Sequence, residues 1–163
     1  MSTAAPVTIR QADVDDVDTV AAIWRDGWRD AHLGRVPAEL ERERLSGSWH
    51  DEVLGRVACT WVGEAAGRIV GFVTVVDDEL EDIYVAAEAR GTGIATALLR
   101  HAEQVVADAG HPSVWLAVVA GNDRARRFYE RHGWHDEGPF DHVARTTSGP
   151  IVVPAHRYRR ALT

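Results

Sequence analysis

Hydrophobic residues recur at a helical spacing over the first third of the chain. A short apolar strand is predicted at residues 7–10, and Asp13 then suits an N-cap with acidic residues in the turn that follows it. The later apolar positions share one helical face and are predicted to face the core: Val17, Val20, Ala21, Trp24 and Trp28. This pattern predicts a helix from Asp13 to about Ala31, followed by shorter helices at residues 38–45 and 49–57.

The hydrophobic period shortens to two residues after Thr60. Alternation predicts strands at residues 60–64 and 68–76, joined in a hairpin, and a third strand at residues 80–85. Both faces of the third strand carry apolar and charged residues. We therefore expect this strand to lie centrally in the sheet, with one face on a cleft.

The second half of the chain alternates between helical and strand periods. A helix ending near Ala109 is predicted to bury Ile94, Leu98, Ala102, Val105 and Ala109. A strand at residues 113–119, a helix at residues 122–132 that ends at Gly133, and strands at residues 134–145 and 151–159 follow. The order indicates an α/β protein that mixes antiparallel hairpins with βα units.

The composition is that of one folded domain, predicted to span residues 1–163, because 45% of the residues are hydrophobic and 26% are charged. Cys59 is the only cysteine, which excludes intramolecular disulfides and fits a reducing cytoplasm. All 18 basic residues are arginine, which excludes lysine-based Schiff-base and P-loop chemistry. The net charge of -7 disfavours nucleic acid as a partner and suits a cationic or neutral small substrate.

The opening sequence MSTAAPVTIR lacks the apolar segment of a leader peptide, and the longest apolar stretch, at residues 69–76, is too short to span a bilayer. We therefore expect no membrane association and a cytoplasmic location. No histidine pair at ligand spacing has a third ligand beside it, so we expect no metal.

A glycine-rich segment, Arg-Gly-Thr-Gly-Ile-Ala at residues 90–95, links the third predicted strand of the hairpin region to a helix. Its glycines allow a tight turn, and the N–H groups of the first helical turn point outward at the positive end of the helix dipole. Such a loop can bind a pyrophosphate, and the same glycines also suit a simple connecting turn. The segment has neither the Lys-Ser/Thr of a P-loop nor the third glycine of a dinucleotide fold.

A second motif follows the strand at residues 113–119. With the glycine segment it resembles the GNAT superfamily of acyl-CoA-dependent N-acetyltransferases, whose motifs are Arg/Gln-x-x-Gly-x-Gly/Ala and Asn-x-x-Ala-x-x-Phe-Tyr-Glu-x-x-Gly-Phe/Trp. The residues that match them are Arg90, Gly93 and Ala95, then Asn122, Ala125, Phe128, Tyr129, Glu130, Gly133 and Trp134. The resemblance covers residues 7 to 160 and is strongest over residues 69–135. Two positions depart from the family: His32 stands where tyrosine is usual, and Ala87 where proline is frequent.

The resemblance implies an α/β (α+β) GNAT fold, with a mixed, mostly antiparallel sheet of about seven strands that splays between strands 4 and 5 and is flanked by about four helices. In this family the pantetheine arm of acetyl-CoA lies in the gap, so Ile83, Tyr84 and Val85 are expected to contact it. Asn122 is expected to fix the arm from the other side. The expected pyrophosphate loop consists of Arg90, Gly91, Thr92, Gly93, Ile94, Ala95 and Thr96.

The reaction that the resemblance implies is attack of a neutral amine on a thioester, which needs a proton acceptor and a proton donor. Tyr129 matches the tyrosine of the family and is the expected donor to the thiolate, although an inward aromatic residue also suits a core. Glu81 on the cleft strand is the expected base, acting through water, with Glu79, Asp82 and Tyr84 as rivals. Trp28 and His32 are the candidates for substrate binding.

Three functions follow from these motifs. The leading hypothesis is acetyl transfer from acetyl-CoA to a primary amine of a small molecule. The alternatives are acetylation of a protein or peptide, and a CoA-binding module without turnover. The resemblance is also compatible with a homodimer.

Overall fold

The computed structural model describes residues 6–146 and 148–162, so residues 1–5, 147 and 163 of the predicted domain lie outside it. Within the described residues, seven strands form one mixed sheet in the order β1-β2-β3-β4-β5-β7-β6. The strands are β1 (Thr8–Gln11), β2 (Thr60–Ala65), β3 (Arg68–Val76), β4 (Glu79–Val85), β5 (Ser113–Val119), β6 (His135–Thr146) and β7 (Gly149–Ala161). The helices are α1 (Val17–His32), α2 (Ala38–Ser46), α3 (Trp49–Leu54), α4 (Ile94–Asp108) and α5 (Asp123–Arg131).

Local capping explains where several helices begin and end. The Asp13 carboxylate accepts a hydrogen bond from the N–H of Asp15 at 2.8 Å, which confirms Asp13 as an N-cap. It caps a single 3-10 turn, however, and α1 itself begins at Val17. The helix predicted over residues 49–57 is also shorter than expected, because α3 stops before Gly55, a residue of low helix propensity.

Helix α4 packs on one face of the sheet. Its fully buried residues are Leu98, Leu99, Ala102 and Val106. The predicted face was wrong at its end, because Val105 is only partly buried and Ala109 is exposed. The residues of α4 that contact the sheet follow the surface of the sheet. They include Leu99 and Val106, which lie at the edge of the predicted face.

Helix α1 packs on the opposite face. Trp24 and Trp28 join a second core with Val62 and Phe72, which confirms the prediction that these tryptophans are core residues. Burying a large apolar side chain contributes about 1.5–3 kcal/mol. This core therefore anchors α1 firmly across β3 and β4.

Strands β4 and β5 are parallel neighbours that separate almost at once. Their register contains one pair, Glu79 with Trp115, whereas β5 pairs with β7 along its whole length. On the other side of β4, Leu80 pairs with Val75 and Asp82 pairs with Thr74, so Glu81 is an extra, bulged residue. A bulge bends its strand and increases the local twist. The predicted splay between strands 4 and 5 is thus confirmed.

Candidate active site

The separation of β4 from β5 leaves one backbone edge of β4 open. Beyond Glu79 this edge has no strand partner in the register, although the other edge of β4 continues to pair with β3 up to Val85. Buried backbone N–H and C=O groups need hydrogen-bond partners. The opening therefore suits an extended ligand that pairs with β4 as an additional strand would. Ile83 and Val85, the predicted partners of such a ligand, lie on this segment.

The glycine loop lies at the end of β4, directly before α4. Gly91 and Gly93 adopt positive φ angles of 77° and 87°, a region that disfavours residues with a side chain. A Cβ atom built on either glycine meets no other atom within 4 Å, so the loop faces open space. Gly93 is the N-cap residue of α4, and the first N–H groups of that helix point toward this space. The geometry is that of a cradle for an anion.

The other predicted loop residues have different environments. Arg90 forms an ion pair with Asp30 of α1, with 2.9 Å between Nη2 and Oδ2. The side chain of Ile94 is buried in the core, so only its backbone is available to a ligand. The hydroxyl of Thr92 donates to the carbonyl of Ala89. Thr96 Oγ1 lies 3.0 Å from Nε2 of His132.

Asn122 lies across the opening from β4, at the start of α5. Its Oδ1 atom accepts a hydrogen bond from the N–H of Ala125 at 3.2 Å, which makes Asn122 the N-cap of that helix. Because an amide has separate donor and acceptor ends, this bond leaves the amide NH₂ group for a ligand.

These elements surround one cavity with a volume of about 1110 Å³. Arginines line the part beside the glycine loop and α5, at Arg90, Arg124 and Arg131. Acidic residues line the part beside the start of β4, at Asp77, Glu79, Glu81 and Asp82. The cavity therefore has a mainly cationic part beside the glycine loop, where Asp30 pairs with Arg90, and a mainly acidic part beside the start of β4, where Arg44 and Arg56 also lie.

Two carboxylates of β4, those of Glu81 and Asp82, share the cation of Arg56 in the acidic part. Arg56 Nη1 lies 3.1 Å from Oε1 of Glu81 and 3.0 Å from Oδ2 of Asp82. Burial, with the negative charges of Glu81 and Asp82, raises the pKa of Glu79 to about 7. Burial also raises the pKa of Asp82 to about 6, against the opposing effect of Arg56. These two carboxyl groups titrate close to neutral pH, the range that general-base catalysis requires.

Two tyrosines, the partly buried Tyr84 and the buried Tyr129, line the same cavity. Burial raises the pKa of both Tyr84 and Tyr129 well above 10, with a further contribution from the negative charge of Asp82. Both phenols are protonated at neutral pH, as ordinary tyrosines are, and can donate a hydrogen bond. Tyr84 packs against α1 at Gly27, where a Cβ atom would lie 2.4 Å from Cδ1 of the ring.

The two predicted substrate-binding residues lie together on the cavity wall. The His32 ring stacks on Trp28, with centroids 5.0 Å apart and 13° between the planes. His32 Nδ1 lies 3.1 Å from the Trp28 carbonyl and must donate to it, so Nε2 carries the lone pair. Burial lowers the pKa of His32 to about 4, which keeps the ring neutral.

Sequence reasoning missed three contributors to this site. Arg56, Gly27 and His142 all line the cavity, yet none belongs to a recognisable motif. Arg56 lies in an irregular connection and His142 on β6, so only the tertiary fold brings them to β4. Across residues 6–146 and 148–162, no group of histidine, cysteine and acidic side chains is arranged to hold a metal ion. In the same residues, no helix has the length and apolar character needed to cross a membrane.

The family model that describes the acetyltransferase (GNAT) family matches residues 19–134. That match covers more than half of the chain and includes most of α1, the strand pair β4 and β5, and the glycine loop. The chain therefore belongs to the acetyltransferase (GNAT) family, a family of acyltransferase enzymes.

The known proteins that are similar to this chain match it over different lengths. The chain is 39% identical over 77 residues to an uncharacterised N-acetyltransferase of Mycobacterium tuberculosis (strain ATCC 25618 / H37Rv). The matched segment covers 44% of this chain and about half, 49%, of that protein. It is 34% identical over 125 residues to the peptidyl-lysine N-acetyltransferase YiaC of Escherichia coli (strain K12), covering 66% of this chain and 82% of YiaC. The crystal structure of the PaiA N-acetyltransferase from Thermoplasma acidophilum in complex with coenzyme A has a TM-score of 0.73 at 18% identity, over 96% of this chain and 99% of that one.

Proposed function

We propose that this protein transfers the acetyl group of acetyl-CoA to a primary amine of a small molecule. The observation that carries the proposal is a single cavity that joins the open edge of β4, the glycine cradle and a cluster of carboxylates with raised pKa values. In the reaction, the amine nitrogen forms a bond to the thioester carbon, the carbon–sulfur bond breaks, and the amine loses a proton while the sulfur gains one. The products are an amide and the free thiol.

The residues present fit acetyl-CoA. The open backbone edge at Ile83 and Val85 would pair with the pantetheine arm, with Tyr84 beside it. Asn122 would bind the arm from α5. Residues 90–96 would hold the pyrophosphate through the N–H groups around Gly91 and Gly93. When bound, acetyl-CoA supplies the activated acyl group.

The carboxylates of β4 supply the base. Glu81 accepts the amine proton through a water molecule, since it lines the cavity on the bulge of β4 next to the point where the strands separate. Glu79 is a second candidate, favoured by its pKa of about 7. The negative charge of the three carboxylates also attracts the protonated form of the amine before the proton is lost.

Tyr129 supplies the proton to the departing thiolate. Its phenol is protonated at neutral pH, as an ordinary tyrosine is, and burial raises its pKa further. It lines the cavity from α5, the helix that Asn122 caps. Donation from a positioned phenol typically contributes a factor of about 10²–10⁴ to the rate.

The first test is calorimetric titration of acetyl-CoA into the purified protein, with Gly93→Glu as the matched control. We expect micromolar binding by the natural protein and none by the variant, whose side chain adds bulk, negative charge and backbone strain to the cradle. The second test is release of free CoA thiol in the presence of a panel of primary amines. Absence of acetyl-CoA binding by the natural protein would refute the proposal.

The catalytic roles are tested separately by substitution. We expect Tyr129→Phe to lower kcat by about 10²-fold while leaving the Kd for acetyl-CoA unchanged. Glu81→Gln and Glu79→Gln are compared by their pH–rate profiles, because loss of the base removes the acidic limb of the profile. Unchanged turnover in both carboxyl variants would exclude them as the base.

A second candidate function is transfer to a peptide amine. It is favoured by the similarity to YiaC, a peptidyl-lysine N-acetyltransferase. Lysine-containing peptides therefore belong in the acceptor panel, and turnover of peptides with none of the small amines would favour this alternative.

A further inference from the structure

The guanidinium of Arg157, on β7, is held against two aromatic rings. Its central carbon lies 4.7 Å from the ring centroid of Trp115 and 4.4 Å from that of Phe140. The two rings meet at 79°, with centroids 6.3 Å apart. The indole N–H of Trp115 donates to Oδ1 of Asp78 at 3.1 Å, which fixes that ring in turn. Contacts with two rings therefore restrict where the guanidinium can lie.

Arg157 forms no ion pair with a carboxylate in the part of the chain that the structure describes. The next two arginines of the same strand differ, because Arg159 pairs with Glu137 and Arg160 pairs with Glu103. Among the described residues, Nε of Arg157 is buried without a hydrogen-bond partner, whereas its two terminal nitrogens are not enclosed and remain accessible. A cation that has aromatic contacts but no carboxylate partner is suited to bind an anion.

Arg157 adjoins the cavity on the same face of the sheet. It pairs in register with Ala117 of β5, and residues directly opposite in an antiparallel pair point to the same face. Ala117 lines the cavity, as do Ala155 and His142, and we call these three residues the rim. The Phe140 ring that packs on Arg157 also contacts the ring of His142, with centroids 5.9 Å apart. The accessible cation therefore lies next to the rim.

Arg157 and the carboxylates of β4 lie on opposite sides of β5. Because β5 lies between them, the backbones of β4 and β7 are about 10 Å apart where the strands pair. Burial raises the pKa of Glu79, and the positive charge of Arg157 opposes that rise, so the two groups interact across this gap. The cation nearer to β4, Arg56, is already paired with Glu81 and Asp82. A ligand that extends from β4 past the rim therefore meets carboxylates first and an accessible cation second.

Building on the proposed function, we propose that the acceptor is an amine with an anionic group, such as a carboxylate, at the end remote from the reacting nitrogen. The amine lies in the cavity at the carboxylates of β4. The anion lies beyond the rim, where the terminal nitrogens of Arg157 donate to it. A free amino acid and a dipeptide with a free C-terminus share this chemistry. Arg157 is then a residue that determines specificity and takes no part in the proton transfers.

The test compares matched acceptors in matched variants. The acceptors are ω-amino carboxylates of increasing chain length and the corresponding neutral amides. Arg157→Gln removes the charge, and Arg159→Gln makes the same change at a guanidinium that is already paired with Glu137. We expect Arg157→Gln to raise KM about tenfold for the carboxylates and less than about twofold for the amides, with little change in kcat. Arg157→Lys, which keeps the charge, should restore part of the loss, and Arg159→Gln should affect both acceptor sets equally.

The outcomes separate this inference from the proposed function. Equal effects of Arg157→Gln on carboxylates and amides would overturn the inference alone. Binding of acetyl-CoA without transfer to any amine would overturn the proposed function and this inference with it. If Arg157→Gln does not fold, the natural protein decides: a KM, expressed as the concentration of neutral amine, that is no lower for the carboxylates than for their amides overturns the inference. Free amino acids and dipeptides, compared as acceptors, then distinguish the two sources of the carboxylate.

Discussion

Gly27 allows α1 to lie directly against the ring of Tyr84. A Cβ atom at Gly27 would stand 2.4 Å from Cδ1 of that ring and 3.2 Å from Cε1 and Cγ. Favourable carbon–carbon contacts lie at about 3.5–4.0 Å, so the ring must retreat by about 1 Å to admit a methyl group. The ring is stacked against Phe72, with centroids 5.8 Å apart, and Phe72 is itself buried in the core.

We therefore predict that Gly27→Ala destabilises the protein although it improves helix propensity. Alanine gains about 1 kcal/mol over glycine in a helix interior. Overpacking of a filled core costs about 1–3 kcal/mol. The expected net change is a loss of up to about 2 kcal/mol in the free energy of unfolding. Because Tyr84 lines the acidic part of the cavity, we also expect a higher KM for the amine and an unchanged Kd for acetyl-CoA.

Urea denaturation and steady-state kinetics measure these effects. Ala22→Gly, in the same helix at a half-buried position, is the control for propensity and is expected to lose about 1 kcal/mol. A Gly27→Ala variant that is more stable than the natural protein by about 1 kcal/mol, with unchanged KM, would show that the Tyr84 ring moves freely and would refute the reasoning.

Three further predictions concern charged groups. Folding raises the pKa of Glu79 from 4.5 to about 7, so the free energy of unfolding falls as the pH rises through this range. Glu79→Gln should therefore raise Tm at pH 8 but not at pH 4. Equal changes in Tm at both pH values would contradict the expected decrease of stability with rising pH. Arg56→Gln should lower the free energy of unfolding by about 2–3 kcal/mol at pH 7 and by less at pH 5, where Asp82 is protonated. Denaturant titration that shows the same loss at both pH values would contradict this prediction. Asp30→Asn should release Arg90 from its ion pair and lower the Kd for CoA, measured by calorimetry at low salt, about threefold. The free energy of unfolding should change by less than about 1 kcal/mol. An unchanged Kd would contradict this prediction.

Much of the fold follows from local patterns. The alternation after Thr60 and the helical period after Asp13 predict elements that the structure contains, because periods of 2.0 and 3.6 residues are properties of the backbone itself. The central position of β4 was also predictable, because both of its faces carry apolar side chains. The buried face of α4 was only partly predictable, since the surface of the sheet selects which apolar residues are covered.

The candidate site likewise combines local features that the sequence predicts with contacts that only the tertiary fold forms. The glycine loop and the cap of α5 are local features; Gly91 and Gly93 were singled out from their sequence context, and Asn122 from the resemblance to the family. Arg56 beside Asp82, Asp30 beside Arg90 and Gly27 beside Tyr84 could not be identified, because each contact joins residues that are distant in the chain.

The sequence by itself determined most of the elements, the tight glycine turn before α4 and the resemblance to the family, because turn geometry, helix capping and hydrophobic period act between residues close in the chain. Only the tertiary structure decided where β4 leaves β5 and that Glu81 lies on a bulge. Strand register and burial depend on the whole set of neighbours that packing brings together, and these properties shape the part of the cavity that we propose binds the amine.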